Sequence, residues 1–162
     1  MGKDIKRISV YYSKIFNTND PFLIAKNLNI QVFELPLGGL SGYYKYLKRH
    51  KCIYINSNIE NGIYKNTVMA HELGHAILDP KENCYFLNRH TLILTSKIEK
   101  RANIFAAELL LPDSILQDCA GYTIEQLSRF TGLDVNLVKL KTDRAGLYSE
   151  SLVAKNAEKE FS

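Results

Sequence analysis

The chain reads as an α+β protein, mostly helical, with a small three-stranded antiparallel sheet ahead of its central helix. Three observations predict this. Residues 30–35, 40–47 and 51–56 form short β-like runs, separated by Gly38-Gly39 and by Lys48-Arg49-His50. On either side, apolar residues recur at helical spacing, in segments bounded by caps, glycines and prolines. A length of 162 residues with 46% hydrophobic content suits one domain with a sizeable core.

Taken in order, residues 3–17 read as a helix through Ile5, Ile8, Tyr12 and Ile15. Asn19-Asp20-Pro21 supplies a cap and a first-turn proline for a short helix reaching residue 28, with Ile24, Ala25 and Leu28 as its buried stripe. The three β-like runs follow. Gly42, inside the second, is expected to mark a bulge or a place where another backbone approaches closely. His50 lies in a charged turn and is expected to be solvated.

Residues 58–61 lead into the central helix, whose apolar run 67–78 ends at Asp79-Pro80. This helix carries His71-Glu72-Leu73-Gly74-His75. At about 100° per residue, His75 lies about 40° from His71 and one turn along, so both imidazoles can reach one ion. Two neutral imidazoles about 2.0–2.1 Å from Zn²⁺ leave room for a third protein ligand and a water, as a hydrolytic site needs. Glu72 would take the proton from that water. An H-E-x-x-H arises in shuffled chains of this composition about once in two hundred, and a surface helix with two histidines is the bland alternative. Ala70, Leu73, Ala76, Ile77 and Leu78 bury this helix and weigh against that alternative.

Residues 97–112 contain no glycine and end at Pro112, which predicts another helix. Its side bearing Glu99, Asn103 and Ala106 is flanked by Ile98, Ala102, Phe105 and Leu109, so it is the buried side. Small Ala102 and Ala106 permit close approach of a second helix. A carboxylate on an inward face is costly unless paired or bound to metal, which makes Glu99 the third ligand. Asn103, one turn on, suits an outer-shell partner that orients a ligating histidine; a buried Asn bonded to backbone is the equal alternative. Glu108 points about 180–200° away and is expected to be a solvated partner of Arg101 at most.

Two motifs, His71-Glu72-Leu73-Gly74-His75-Ala76-Ile77-Leu78 and Glu99-x-x-Ala102-Asn103-x-Phe105-Ala106-Ala107-Glu108-Leu109-Leu110-x-Pro112, make residues 30–112 resemble the ImmA/IrrE family of bacterial and phage metallo-endopeptidases. The Glu99-x-x-x-Asn103 element is also similar to the thermolysin-type pattern, with Asn103 where that pattern has Asp. The resemblance implies a zincin-like fold, a single Zn²⁺ held by His71, His75 and Glu99, and Glu72 as the catalytic base. It also implies a substrate: a helix-turn-helix repressor of the same mobile element or regulon, cut so as to induce expression. Strand 40–47 would then be an edge strand that pairs with extended substrate. A peptidase needs a donor near the developing oxyanion, and Tyr85 and His90, in the connection 81–96, are candidates beside the commoner packing or surface roles.

After Pro112 a short helix begins at Asp113-Ser114. Two more follow around Gly132, capped by Thr123 and Asp134. Residues 121–146 match a helix-turn-helix in pattern only and are expected to close the core through Leu127, Phe130, Val135, Leu137, Val138 and Leu140. One domain is thus expected over residues 1–148, with a flexible tail at 149–162.

The formal net charge is +4, with both signs intermixed, so nucleic-acid binding does not follow. Cys52, Cys84 and Cys119 are widely spaced, without C-x-x-C, and read as free thiols in a reducing compartment. No signal peptide or membrane span is apparent, so a cytoplasmic location is expected. The competing function is a regulatory module with structural zinc whose C-terminal helices bind DNA or a partner protein. A fourth protein ligand would favour that module.

Overall fold

The computed structural model describes residues 4–81, 84–87 (backbone only) and 97–146. Helix α1 (Ile5–Phe16) is capped by the Asp4 carboxylate, which accepts from the Arg7 amide. Asp20 caps α2 (Pro21–Asn27), accepting from Phe22 at 2.8 Å and Leu23 at 3.3 Å; the proline sits where its missing N–H costs nothing. Ile24 and Ala25 of α2 are fully buried. Strands β1 (Gln31–Leu35), β2 (Leu40–Leu47) and β3 (His50–Asn56) precede α3 (Gly62–Leu78), capped by Asn61. Strand β4 (Cys84–Leu87) follows, then α4 (Lys97–Leu110), α5 (Asp113–Asp118), α6 (Ile124–Thr131) and α7 (Val135–Ala145).

The sheet runs β1-β3-β2-β4 and is mixed rather than antiparallel: β1 lies parallel to β3, and β2 is antiparallel to both β3 and β4. The cause is the link at residues 36–39, which makes no hairpin but passes over the end of β3. Asn56 fastens it there, its Nδ2 donating to the carbonyls of Leu40 at 2.7 Å and Gly38 at 3.2 Å. Its Oδ1 accepts from Leu37 and Asn58. Between β2 and β3, Lys48 and Arg49 both take positive φ (46° and 68°), the geometry of a tight two-residue hairpin. His50 therefore opens β3 opposite Leu47, and it is exposed as expected.

Strand β2 is interior, so it is not the expected edge. A Cβ at Gly42 would come within 2.7 Å of Val68 Cγ1 and 2.9 Å of the Tyr54 carbonyl, so the close neighbours are α3 and β3. The β2–β4 register shifts between Leu40 and Gly42, which bears out the bulge.

Helix α3 packs on the sheet face made by Tyr44, Ile53 and Ile55, all fully buried with Met69 and Leu73. Helix α4 crosses α3 at Gly74, where a Cβ would lie 3.1 Å from Ala102 Cα and 3.2 Å from its carbonyl oxygen. That is the close approach expected from Ala102. The opposite face of α4 is covered by α1 and α7, which buries both sides of the helix.

The last helices close the core through Leu127, Leu137 and Val138, with Leu140 half-buried. Phe130 and Val135 do not join them, being 65% and 40% exposed. The chain reverses at Gly132 (φ 73°) and inserts Leu133 instead, leaving Phe130 edge-on against Tyr122 with ring centroids 6.0 Å apart. Thr123 and Gln126 form a reciprocal capping box, and Asp134 caps α7. Cys52 and Cys119 are buried free thiols. No helix among the described residues is long and apolar enough to cross a membrane. The Cys84 side chain and the tail at 149–162 lie outside the described residues.

Candidate metal centre

The middle of α3 is buried on every side, from Val68 through Ala76, so its polar side chains need partners within the protein. His71, Glu72 and His75 are 2%, 0% and 1% exposed. The i, i+4 spacing brings the two imidazoles together edge to face, with His71 Nε2 and His75 Nε2 3.0 Å apart. Glu99, in the first turn of α4, completes the group. Its Oε2 lies 3.1 Å from His71 Nε2, and its Oε1 3.4 Å from His75 Nε2. Donor atoms of these three side chains lie within 4.8 Å of one another, the one such group of three among the described residues.

Asn103 lies where α4 periodicity puts it, one turn after Glu99, and its Oδ1 sits 2.7 Å from His71 Nδ1. An amide oxygen only accepts, so Nδ1 carries a proton and Nε2 is the ring nitrogen turned toward Glu99 and His75. Burial holds His71 toward its neutral form and adjacent His75 adds to this, against the opposing pull of Glu99 and Asn103. Two buried imidazole nitrogens and a carboxylate that converge from two helices are a donor set that fits a metal ion.

Burial would raise the Glu99 carboxyl, but its contacts with His71 and His75 outweigh that and hold it far below the usual carboxylate range. Glu72 behaves oppositely. Burial pushes its carboxyl well above the ordinary value, the charge of Glu99 adds to this, and the Tyr44 backbone amide offsets a little. Neither Glu72 oxygen has a well-formed hydrogen bond among the described residues, and His75 Nδ1 is likewise buried without one.

His71, Glu72, His75, Glu99 and Asn103 are thus brought together as expected. The backbone of Tyr85 lies in β4 opposite Tyr43, but its side chain, like His90 as a whole, lies outside the described residues. Glu108 is the clear correction. It is buried, 5% exposed, and bonded to Lys141 with Arg144 Nε 3.5 Å away. Arg101 pairs with Asp79 instead, at 2.9 Å. Neither Lys141 nor Asp79 was marked by motif or spacing. The available signal was the run 102–109, whose Ile104 and Ala107 lie off the Phe105 side, so that the helix presents apolar residues to more than one neighbour.

A buried pair of imidazoles on one helix, met by a carboxylate from a second helix beside a mixed sheet, makes a candidate metal centre of the kind a metallopeptidase uses. The comparisons agree. The family described as IrrE N-terminal-like domain, a peptidase family, matches residues 25–141, and the chain belongs to that family. The match extends past residue 112 through α5, α6 and most of α7. The chain is 39% identical over 131 residues to uncharacterized immunity region protein 2 of Bacillus phage phi105, covering 79% of this chain and 82% of that protein. It is 27% identical over 157 residues to metallopeptidase ImmA of Bacillus subtilis strain 168, covering 93% and 91% respectively.

Proposed function

We propose that the protein is a zinc-dependent endopeptidase of the cytoplasm that cleaves a helix-turn-helix repressor of its own mobile element or regulon. His71, His75 and Glu99 hold the ion, and the observation that carries the reading is the convergence of two buried imidazoles and one carboxylate, their donor atoms within 4.8 Å of one another. Zinc suits two imidazoles and one carboxylate, and the three protein donors found among the described residues leave the open position that a closed structural site lacks. Asn103 fixes the tautomer of His71, although a neutral amide leaves that imidazole less basic than a carboxylate partner would.

When bound, the ion supplies Lewis-acid chemistry at the scissile carbonyl. Glu72 does the proton work. It accepts a proton from the water whose oxygen adds to the carbonyl carbon, then passes that proton to the amine nitrogen as the C–N bond breaks. One carboxyl beside the reacting water can serve both steps, as base and then as acid. The repressor substrate is supported by the sequence resemblance and by the phage immunity-region relative.

The test is co-expression with the neighbouring helix-turn-helix repressor. Wild type is expected to yield a shortened repressor, and Glu72→Gln to bind zinc fully but leave the repressor intact. Undiminished cleavage by Glu72→Gln would overturn the mechanism; an intact repressor with active wild type on another protein would overturn the substrate.

A further inference from the structure

Resting on the zinc reading above, we propose that Arg101 is a positioning residue that clasps the two metal-bearing helices and sets the reach of Glu99. Glu99 is the third residue of α4, in a first turn where helices fray. Its two oxygens must nevertheless stay within 3.1 and 3.4 Å of two imidazoles on another helix. Arg101, two residues on, reaches the end of the other helix. Its guanidinium reaches the Asp79 carboxylate at 2.9 Å and donates to the Leu78 carbonyl at 3.3 Å.

Both contacts lie at the C-terminal end of α3, where the last carbonyls have no partner within the helix. Arg101 therefore caps α3 from α4. A planar fork with several N–H donors can serve a carboxylate and a carbonyl together, which a single ammonium does less well. Asp79 is itself tied to the metal residues, because its amide donates to the His75 carbonyl at 2.9 Å. The path His75–Asp79–Arg101–Glu99 thus links a candidate ligand on α3 to the one on α4. The Asp79 side chain is 11% exposed and that of Arg101 32%, so the carboxylate end of the clasp is shielded from water and the guanidinium end only partly. Gly74 against Ala102 fixes how closely the helices approach, while Arg101 fixes how far α4 slides and turns.

The experiment measures zinc affinity by competition with a chromophoric chelator for wild type, Arg101→Met, Arg101→Lys, Glu99→Gln and Lys141→Met. Amide hydrogen exchange of residues 97–101 in the metal-free proteins is followed in parallel. Loss of an outer-shell orienting group typically weakens binding ten- to a hundredfold. Arg101→Met is expected to fall in that range with faster exchange in the first turn of α4, and Arg101→Lys to recover part of the loss. Lys141→Met, on the far face of α4, is expected to lower stability while leaving affinity unchanged. Wild-type affinity in Arg101→Met, alongside weak binding by Glu99→Gln, would overturn the clasp and leave the zinc reading standing. Equal weakening by Arg101→Met and Lys141→Met would also overturn it, as a general loss of packing. No zinc binding by wild type would overturn both.

Discussion

A carboxylate taken out of water without a hydrogen bond costs several kcal/mol unless it gains a proton or meets a cation. Glu72 is in that position: fully buried, with neither oxygen well bonded among the described residues and a carboxyl driven upward chiefly by burial. The same side chain that would do the proton transfer is therefore a weak point of the metal-free fold. Glutamine keeps its shape but cannot ionise. In excess chelator at pH 7, Glu72→Gln is expected to melt higher than wild type, by roughly 2–4 °C for each kcal/mol recovered. Added zinc should narrow the gap, because a nearby cation stabilises the wild-type carboxylate. Differential scanning calorimetry with and without chelator checks this, and a lower melting point for the chelated variant would show that the fold depends on the charged form.

Helix α4 serves two interfaces at once. One face brings Glu99 and Asn103 to α3; the other buries Glu108 against Lys141 of α7, whose Nζ also bonds Asp113 Oδ1 at 2.7 Å. Asp113 Oδ2 pairs in turn with Lys6 of α1 at 2.6 Å, so four helices meet at this network. Removing one member of a buried pair leaves the other charge uncompensated, at about 3–5 kcal/mol, whereas replacing both by apolar groups can be nearly neutral. Lys141→Met is accordingly expected to lower the melting temperature by roughly 10 °C. Glu108→Leu combined with Lys141→Met is expected to regain most of that. Thermal unfolding of the two single variants and the double variant, read as a cycle, gives the coupling; strictly additive losses would show that the pair is not energetically linked.

At the scale of the whole molecule, what could be read in advance was whatever repeats locally. The i, i+4 histidines, the Glu99–Asn103 turn and the caps at Asp20, Thr123 and Asp134 each depend on neighbours within one helical turn. What could not be read depends on how distant segments meet. The parallel pairing of β1 with β3 turns on Asn56 gripping a link 16 to 19 positions away, and the Glu108–Lys141 contact spans 33 positions. The metal centre is itself such a long-range contact, reached in sequence terms only because buried carboxylates are rare enough to demand a partner. It joins α3 to α4, so an ion bound to the folded chain should act as a cross-link between the halves on either side of residues 82–96. A ligand that binds only the native state stabilises it by about 2.7 kcal/mol at a hundred times its dissociation constant. For a chain of this length that corresponds to roughly 5–10 °C in melting temperature. His75→Ala is expected to abolish the increment. Lys141→Met should keep it in full on a lower baseline, since it acts on the opposite face of α4 and distant effects add. Melting curves across a zinc titration distinguish the cases, and an equal zinc increment in wild type and His75→Ala would place the binding site elsewhere.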